Sequence, residues 1–326
     1  MKNQTIEIKQ KVRNVKTLHF FMMVVWPILL FAAIGLDGFY TSILETNFSY
    51  SMGISNMILI LLWLLYAYFM LAIMRNYNLQ EIMSEYCEFD AYLECMTYLE
   101  KFYILKKSRL SQRLNRTDAY LVSGDFDAAY ENLNRFKELY PKLSIKTQMM
   151  YDYFWCRFYG ELEDAENYKI CLDVFQKNWL NNPNLSRKLM RQAAMLFQEL
   201  AFRQMVFEKN GIAVKSYLTK VYKAGRIGTR YDFIKYCYFM GKAEYILENL
   251  MLAKHWFAQT VSFGLKEQMT KNAKQLLDKL EEMHIPYALT PPSDNVYYGK
   301  PKSMRISSGL LSIFLSLLLV LVIIAH

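Results

Sequence analysis

Lys106, Arg109, Arg113 and Arg116 recur at steps of three and four residues, and Tyr120 completes the row. That spacing places them along one face of a helix. An arginine fork makes paired hydrogen bonds to a carboxylate, so the stripe can grip acidic residues or the C-terminal carboxylate of a partner. The same charges also suit a plain solvated helix face, because Leu105, Leu110, Leu114 and Leu121 occupy much of the rest. Both readings stay open at this level. A second basic group, Lys215, Lys220, Lys223, Arg226 and Arg230, extends the same surface or meets lipid headgroups.

Motifs for bond-making chemistry are missing. There is no H-E-x-x-H, no G-x-G-x-x-G after a strand and no Walker loop. The run from Lys223 to Arg230 looks like a phosphate loop but lacks the preceding strand and the Gly-Lys-Ser/Thr order, so it reads as a turn between helices. His255 beside Trp256 reads as a packing or surface residue. Glu161, Glu163, Asp164 and Glu166 open a helix, where acidic side chains complement the dipole. The five cysteines, Cys87, Cys95, Cys156, Cys171 and Cys237, form no C-x-x-C pair and read as buried thiols. Neither an enzyme nor a bound metal or cofactor is expected.

The elements that must carry these residues are helices. From about residue 79 to 283 the apolar pattern is helical and no hairpin dipeptide between alternating strands occurs. Breaks are short: Ser123-Gly124-Asp125, Pro141, Gly160, Asn181-Asn182-Pro183, Asn210-Gly211, Gly225 to Gly228, and Gly264. Helices joined by such turns pack as antiparallel neighbours. Three stretches share a further pattern. Gly124-Asp125-Phe126 leads to Ala129, Leu133 and Pro141, and Tyr159-Gly160-Glu161-Leu162 leads to Ala165. Gly241 is followed by Ala253 and Phe257. Gly160 stands 36 residues after Gly124. Small residues at Gly124, Ala129, Gly160, Ala165, Gly241 and Ala253 would let two helices approach closely, with Phe257 filling the space beside them.

This pattern resembles the tetratricopeptide repeat (TPR): a small residue in a first helix, a tight turn, then Ala-x-x-x-Phe in the second. Thr117 and Lys169 depart from it, and 185–224 matches only as a helix pair. The resemblance implies an α-solenoid that binds a protein or peptide, here a cytoplasmic protein or acidic peptide.

Three stretches, 20–36, 57–74 and 306–325, carry no charged side chain and are close to the length that crosses about 30 Å of hydrocarbon. Basic residues of the short flanks stay in the cytoplasm. Lys2, Lys9, Lys11, Arg13 and Lys16 precede the first stretch, Arg75 follows the second, and Lys300, Lys302 and Arg305 precede the third. The expected order is a basic cytoplasmic N-terminus (1–18), a transmembrane helix (19–40), an external loop (41–54) and a second transmembrane helix (55–75). A cytoplasmic helical-repeat domain (76–283), a Pro-containing linker (284–305) and a third transmembrane helix (306–325) follow. The linker could reach roughly 70 Å, enough to return from the far end of five helix pairs stacked over roughly 50 Å. The expected fold class is all-α. Its function is that of a membrane-anchored TPR-like scaffold, the alternative being an accessory subunit of a membrane enzyme or transporter. Its partners are the lipid bilayer, anionic lipid included, and the captured protein. The net charge of +9 alone does not argue for nucleic acid, since aromatic-interleaved basic motifs are missing.

Overall fold

The computed structural model describes residues 2–28, 68, 70–102, 106–222, 226–288 and 297–298. Among them the chain is helical apart from turns, short connections and one two-residue parallel pair, Arg226–Ile227 with Tyr297–Tyr298. It divides into two units. One takes Met1–Val12 and Leu79–Gly299; the other takes Arg13–Asn78 and Lys300–His326. The described residues up to Val12 and those at 284–288 and 297–298 cluster with the hairpin unit.

Helix α1 (Lys2–Phe20), which belongs to the second unit from Arg13 on, continues through a wider turn at Phe21–Val25, and α2 covers 70–84, with 70–78 in that unit. His19 is buried, and Arg75 Nη1 donates to its Nδ1 at 2.9 Å. Among the described residues no helix is long and apolar enough to cross a membrane. The expected span 306–325 lies wholly, and 19–40 and 55–75 largely, outside the described residues.

The first unit is a series of helical hairpins. After α3 (Phe89–Glu100) come α4 (Lys106–Ser123) and α5 (Phe126–Lys137), then α6 (Ile145–Glu161) and α7 (Ala165–Phe175). Next are α8 (Arg187–Phe207) with α9 (Gly211–Val221), α10 (Arg230–Ile246) with α11 (Leu250–Phe263), and a last helix α12 (Gln268–Glu282). Two kinds of cap alternate along this series. Hydroxyls open first helices: Ser144 accepts from Thr147 N, Ser186 from Leu189 N and Thr229 from Asp232 N. Asx side chains open second helices: Asp125 accepts from Ala128 N, Asp164 from Asn167 N and Asn210 from Ala213 N. Each satisfies a backbone N–H that the first turn would leave unpaired.

The hairpin tips are built alike. The residue before each Asx position has a left-handed backbone: Gly124 (φ 79°), Glu163 (φ 59°), Lys209 (φ 53°) and Glu248 (φ 61°), followed by Asp125, Asp164, Asn210 and Asn249. In all four the Asx N–H returns to a carbonyl five residues earlier, at Tyr120, Tyr159, Met205 and Glu244. This bond satisfies the end of one helix while the side chain starts the next. Four residues beyond each tip a side chain is buried: Ala129, Tyr168, Val214 and Ala253. The next turn buries Leu133, Leu172, Leu218 and Phe257.

That register corrects one expectation. Ala165 is exposed and packs no hairpin, because it sits in the first turn directly after Asp164. Gly124 corresponds to Glu163, 39 residues on, and not to Gly160; Tyr168 therefore takes the buried place of Ala129. Gly160 has another role. A Cβ there would lie 3.1 Å from Arg203 Cδ and 3.2 Å from the Tyr168 ring. Ala129, Ala253 and Phe257 are fully buried, and a Cβ on Gly241 would lie 2.7 Å from the Phe257 ring.

Two apolar clusters fill the unit. Hairpins α4–α5 and α6–α7 with the first part of α8 share one, centred on Leu133, Phe154, Tyr168 and Phe175. Hairpins α8–α9 and α10–α11 with α12 share the other, centred on Val214, Tyr236, Ala253 and Phe257. The ends of the series meet. α12 packs on α4, Lys271 Nζ donates to Ser123 O (2.9 Å), and the Gln268 side chain occupies the space a Cβ on Gly124 would need. Lys266 pairs with Glu88 at 2.7 Å, and Arg230 N–H donates to Glu85 Oε1 at 3.2 Å. The hairpins follow one another in sequence, and the two ends of the series touch through these contacts. The linker is no free tether over its described part, since Lys254 Nζ donates to Ile285 O (2.8 Å) and Tyr297–Tyr298 pairs beside α10.

Candidate functional site: the inner face of the hairpins

The first helices of the hairpins turn charged side chains toward one another. Arg157 on α6 pairs with Asp118 on α4, and Arg203 on α8 pairs with Glu161 at the end of α6. Arg203 Nη1 also donates to Gly160 O at 3.1 Å, where a cation meets the negative end of the α6 dipole. Gly160 gives that side chain its room. Lys235 on α10 pairs with Glu199 on α8 at 2.9 Å, and Tyr153 OH donates to the same carboxylate at 2.6 Å. Three carboxylates thus answer three cations across four helices.

Burial alone would raise the Glu199 pKa. Lys235, Arg157 and the Tyr153 hydroxyl outweigh it and hold the carboxyl well below its usual range. Burial likewise opposes charge on Arg157, yet Asp118, Tyr153 and Glu199 keep it firmly protonated. Tyr231, at the start of α10, is pushed far up by burial and stays a neutral phenol. A buried charge network of this kind holds only while every member has its partner.

At one end of the network lies a cavity of about 210 Å³. Gly160 and Glu161 of α6, Arg203 and Phe207 of α8, and Tyr238 and Lys242 of α10 line it. The tip residues Glu163 and Lys209 and Asn272 of α12 line it as well. Lys242 pairs with Glu163 and lies 5.3 Å from the Tyr238 ring centre. The Arg203 guanidinium lies 5.5 Å from the Phe239 ring centre. Its fork has five N–H groups. Among the described residues its hydrogen bonds are those to Gly160 and Glu161. Lys209 is exposed and makes no ion pair among the described residues. The wall thus carries three cations, Arg203, Lys209 and Lys242, and two carboxylates, Glu161 and Glu163, that pair with Arg203 and Lys242.

The stripe read from the sequence is placed differently. Lys106, Arg109 and Arg113 are exposed, and Arg116 and Tyr120 are half-buried. Arg113 Nε and Arg116 both reach Glu100 on α3, the former at 2.5 Å. Two of the stripe's arginines thus join α4 to α3, and Tyr120 packs against the first core cluster. The second basic group is dispersed. Lys215 pairs with Glu244 at 2.6 Å, Arg230 Nε donates to Phe263 O at 2.7 Å, and Lys223 lies outside the described residues. Thr117, which breaks the repeat pattern, is buried and accepts from Asn132 Nδ2 at 2.9 Å.

The inner network was missed by sequence reading because its pairs join residues 36 to 46 positions apart on separate helices. No local spacing marks such pairs. Comparison of the chain with protein-family models, with curated proteins and with solved structures returns no match.

Proposed function

We propose that this chain is a membrane-anchored, TPR-like scaffold whose hairpin domain captures a soluble protein through an acidic segment. The observation that carries the reading is the cavity where Arg203, Lys242 and Lys209 converge from adjacent hairpins beside Phe207 and Tyr238. Arg203 and Lys242 are paired with Glu161 and Glu163, so the cation an acidic segment would meet there is the exposed Lys209. The anchoring half of the reading rests on the three uncharged apolar stretches and on the basic residues beside them. The stretches fall in the unit Arg13–Asn78 with Lys300–His326, together with Arg13, Lys16, Arg75, Lys300, Lys302 and Arg305. The exposed Lys106 and Arg109 supply a second basic surface, which suits anionic headgroups.

Affinity isolation of the full chain in mild detergent tests this. A soluble protein recovered with the wild type should be lost with the Lys209→Glu/Lys242→Gln variant and kept with Lys274→Glu, which alters an exposed lysine on α12. Recovery of only integral membrane proteins, equal for all three, would instead favour an accessory subunit held through its spans.

A further inference from the structure

Cys156 on α6 and Cys171 on α7 belong to the same hairpin, eight residues before and seven after the tip residue Asp164. Antiparallel helices bring such positions face to face. The register is fixed independently by Gly160, whose added Cβ would lie 3.2 Å from the Tyr168 ring. One helical turn further from the tip, Gly160 gives way to Cys156, and Tyr168 to Leu172 with Cys171 beside it. Both thiols pack in the first core cluster and both are free, Cys156 fully buried and Cys171 half-buried. A disulfide between such opposed positions requires Cα atoms about 4.4–6.8 Å apart.

We infer that Cys156 and Cys171 form an oxidisable dithiol, with Cys171 as the attacking thiol and Cys156 as the resolving one. The two sulfurs are unlike. A hydrogen bond from Cys156 lowers the Cys171 pKa, whereas that bond and burial push Cys156 up. With hydrogen peroxide as oxidant, the Cys171 thiolate attacks one peroxide oxygen and the O–O bond breaks. The thiol proton leaves with the departing hydroxide as water, and Cys171 becomes a sulfenic acid. Cys156 sulfur then attacks Cys171 sulfur, the S–O bond breaks, and hydroxide takes the Cys156 proton as a second water. Two thiols lose two electrons and two protons in total, and peroxide is reduced to two waters. Cys87, Cys95 and Cys237 are fully buried, out of reach of the oxidant. The bond staples the second hairpin, whose α6 carries Arg157 and Glu161 of the inner network.

The test uses the full chain in detergent, treated with hydrogen peroxide, alkylated and mapped by mass spectrometry without reduction. The expected product is a Cys156–Cys171 linked peptide two hydrogens lighter than the sum of its parts, reversed by dithiothreitol, with a melting temperature several degrees higher. In Cys156→Ser, Cys171 should stop at a sulfenic acid trapped by dimedone; in Cys171→Ser, Cys156 should remain a thiol. A melting curve of each untreated variant verifies that it folds. The inference is overturned if both wild-type thiols stay alkylatable at peroxide levels that label Cys171 in Cys156→Ser. It is equally overturned if Cys171 over-oxidises to sulfinic acid as fast with Cys156 as without it.

Discussion

Gly241 and Phe257 set the closest approach of α10 and α11, and a methyl group at 241 would meet the ring at 2.7 Å. Gly241→Ala should therefore cost about 1–3 kcal/mol, read from denaturant melts. Shrinking the ring should relieve it, so Phe257→Leu and Gly241→Ala together should cost less than the sum of the two alone. Additive costs would mean that ring and glycine do not limit each other. Glu199 supplies a second test at this scale. Its folded pKa is lowered, so its stabilising effect is in place once pH exceeds the unfolded carboxyl value of about 4.3 and is lost as pH falls toward the lowered value. Glu199→Gln should lower stability near neutral pH and flatten the loss between pH 5 and 3. Parallel wild-type and variant curves over that range would remove Glu199 from the acid response. Ala129, Ala253, Gly241 and Phe257 were legible in the sequence because helical spacing and small size mark a close contact. The pairing of Arg113 and Arg116 with Glu100 was not legible, because spacing shows which residues share a face but not which other helix meets it.

The hairpin tips decide the helices' register. Helix boundaries near Gly124, Asn210-Gly211 and Gly264 follow from familiar breakers, and the all-helical class follows from periodicity. The second tip was harder to read, because Glu163 occupies a left-handed position where glycine would be the usual signal. The dependable mark there is the capping side chain: Asp125, Asp164 and Asn210 each bind a backbone N–H three residues on. Glycine spacing instead suggested a 36-residue period and placed Ala165 in the core. Non-glycine residues in this conformation cost on the order of 1 kcal/mol. Glu248→Gly, at an exposed tip, should be neutral to stabilising by up to about 1 kcal/mol, whereas Gly124→Ala should destabilise, since φ there is 79° and Gln268 fills the space. Thermal melts of the two variants decide the matter, and an equal response would contradict the shared tip geometry.

At the scale of the whole molecule, the series of hairpins and the uncharged stretches lead to separate predictions. A cysteine replacing Ser51 should react with an impermeant thiol reagent in intact cells, and cysteines placed over 290–300 should react only after permeabilisation. Labelling of 290–300 in intact cells would put the hairpin domain outside. The contact between the ends of the series could not be foreseen from the chain, because Lys266–Glu88 and Lys271–Ser123 join residues 178 and 148 positions apart. The proposed partner surface is the cavity lined by Arg203, Lys209 and Lys242. Site-specific photo-crosslinking tests that surface most directly. A photoreactive side chain at Lys209, compared with one at the exposed Lys274, should cross-link a soluble partner at 209 alone, and Lys242→Gln should weaken the product. Equal cross-linking at 209 and 274, or a partner captured only at 274, would contradict it.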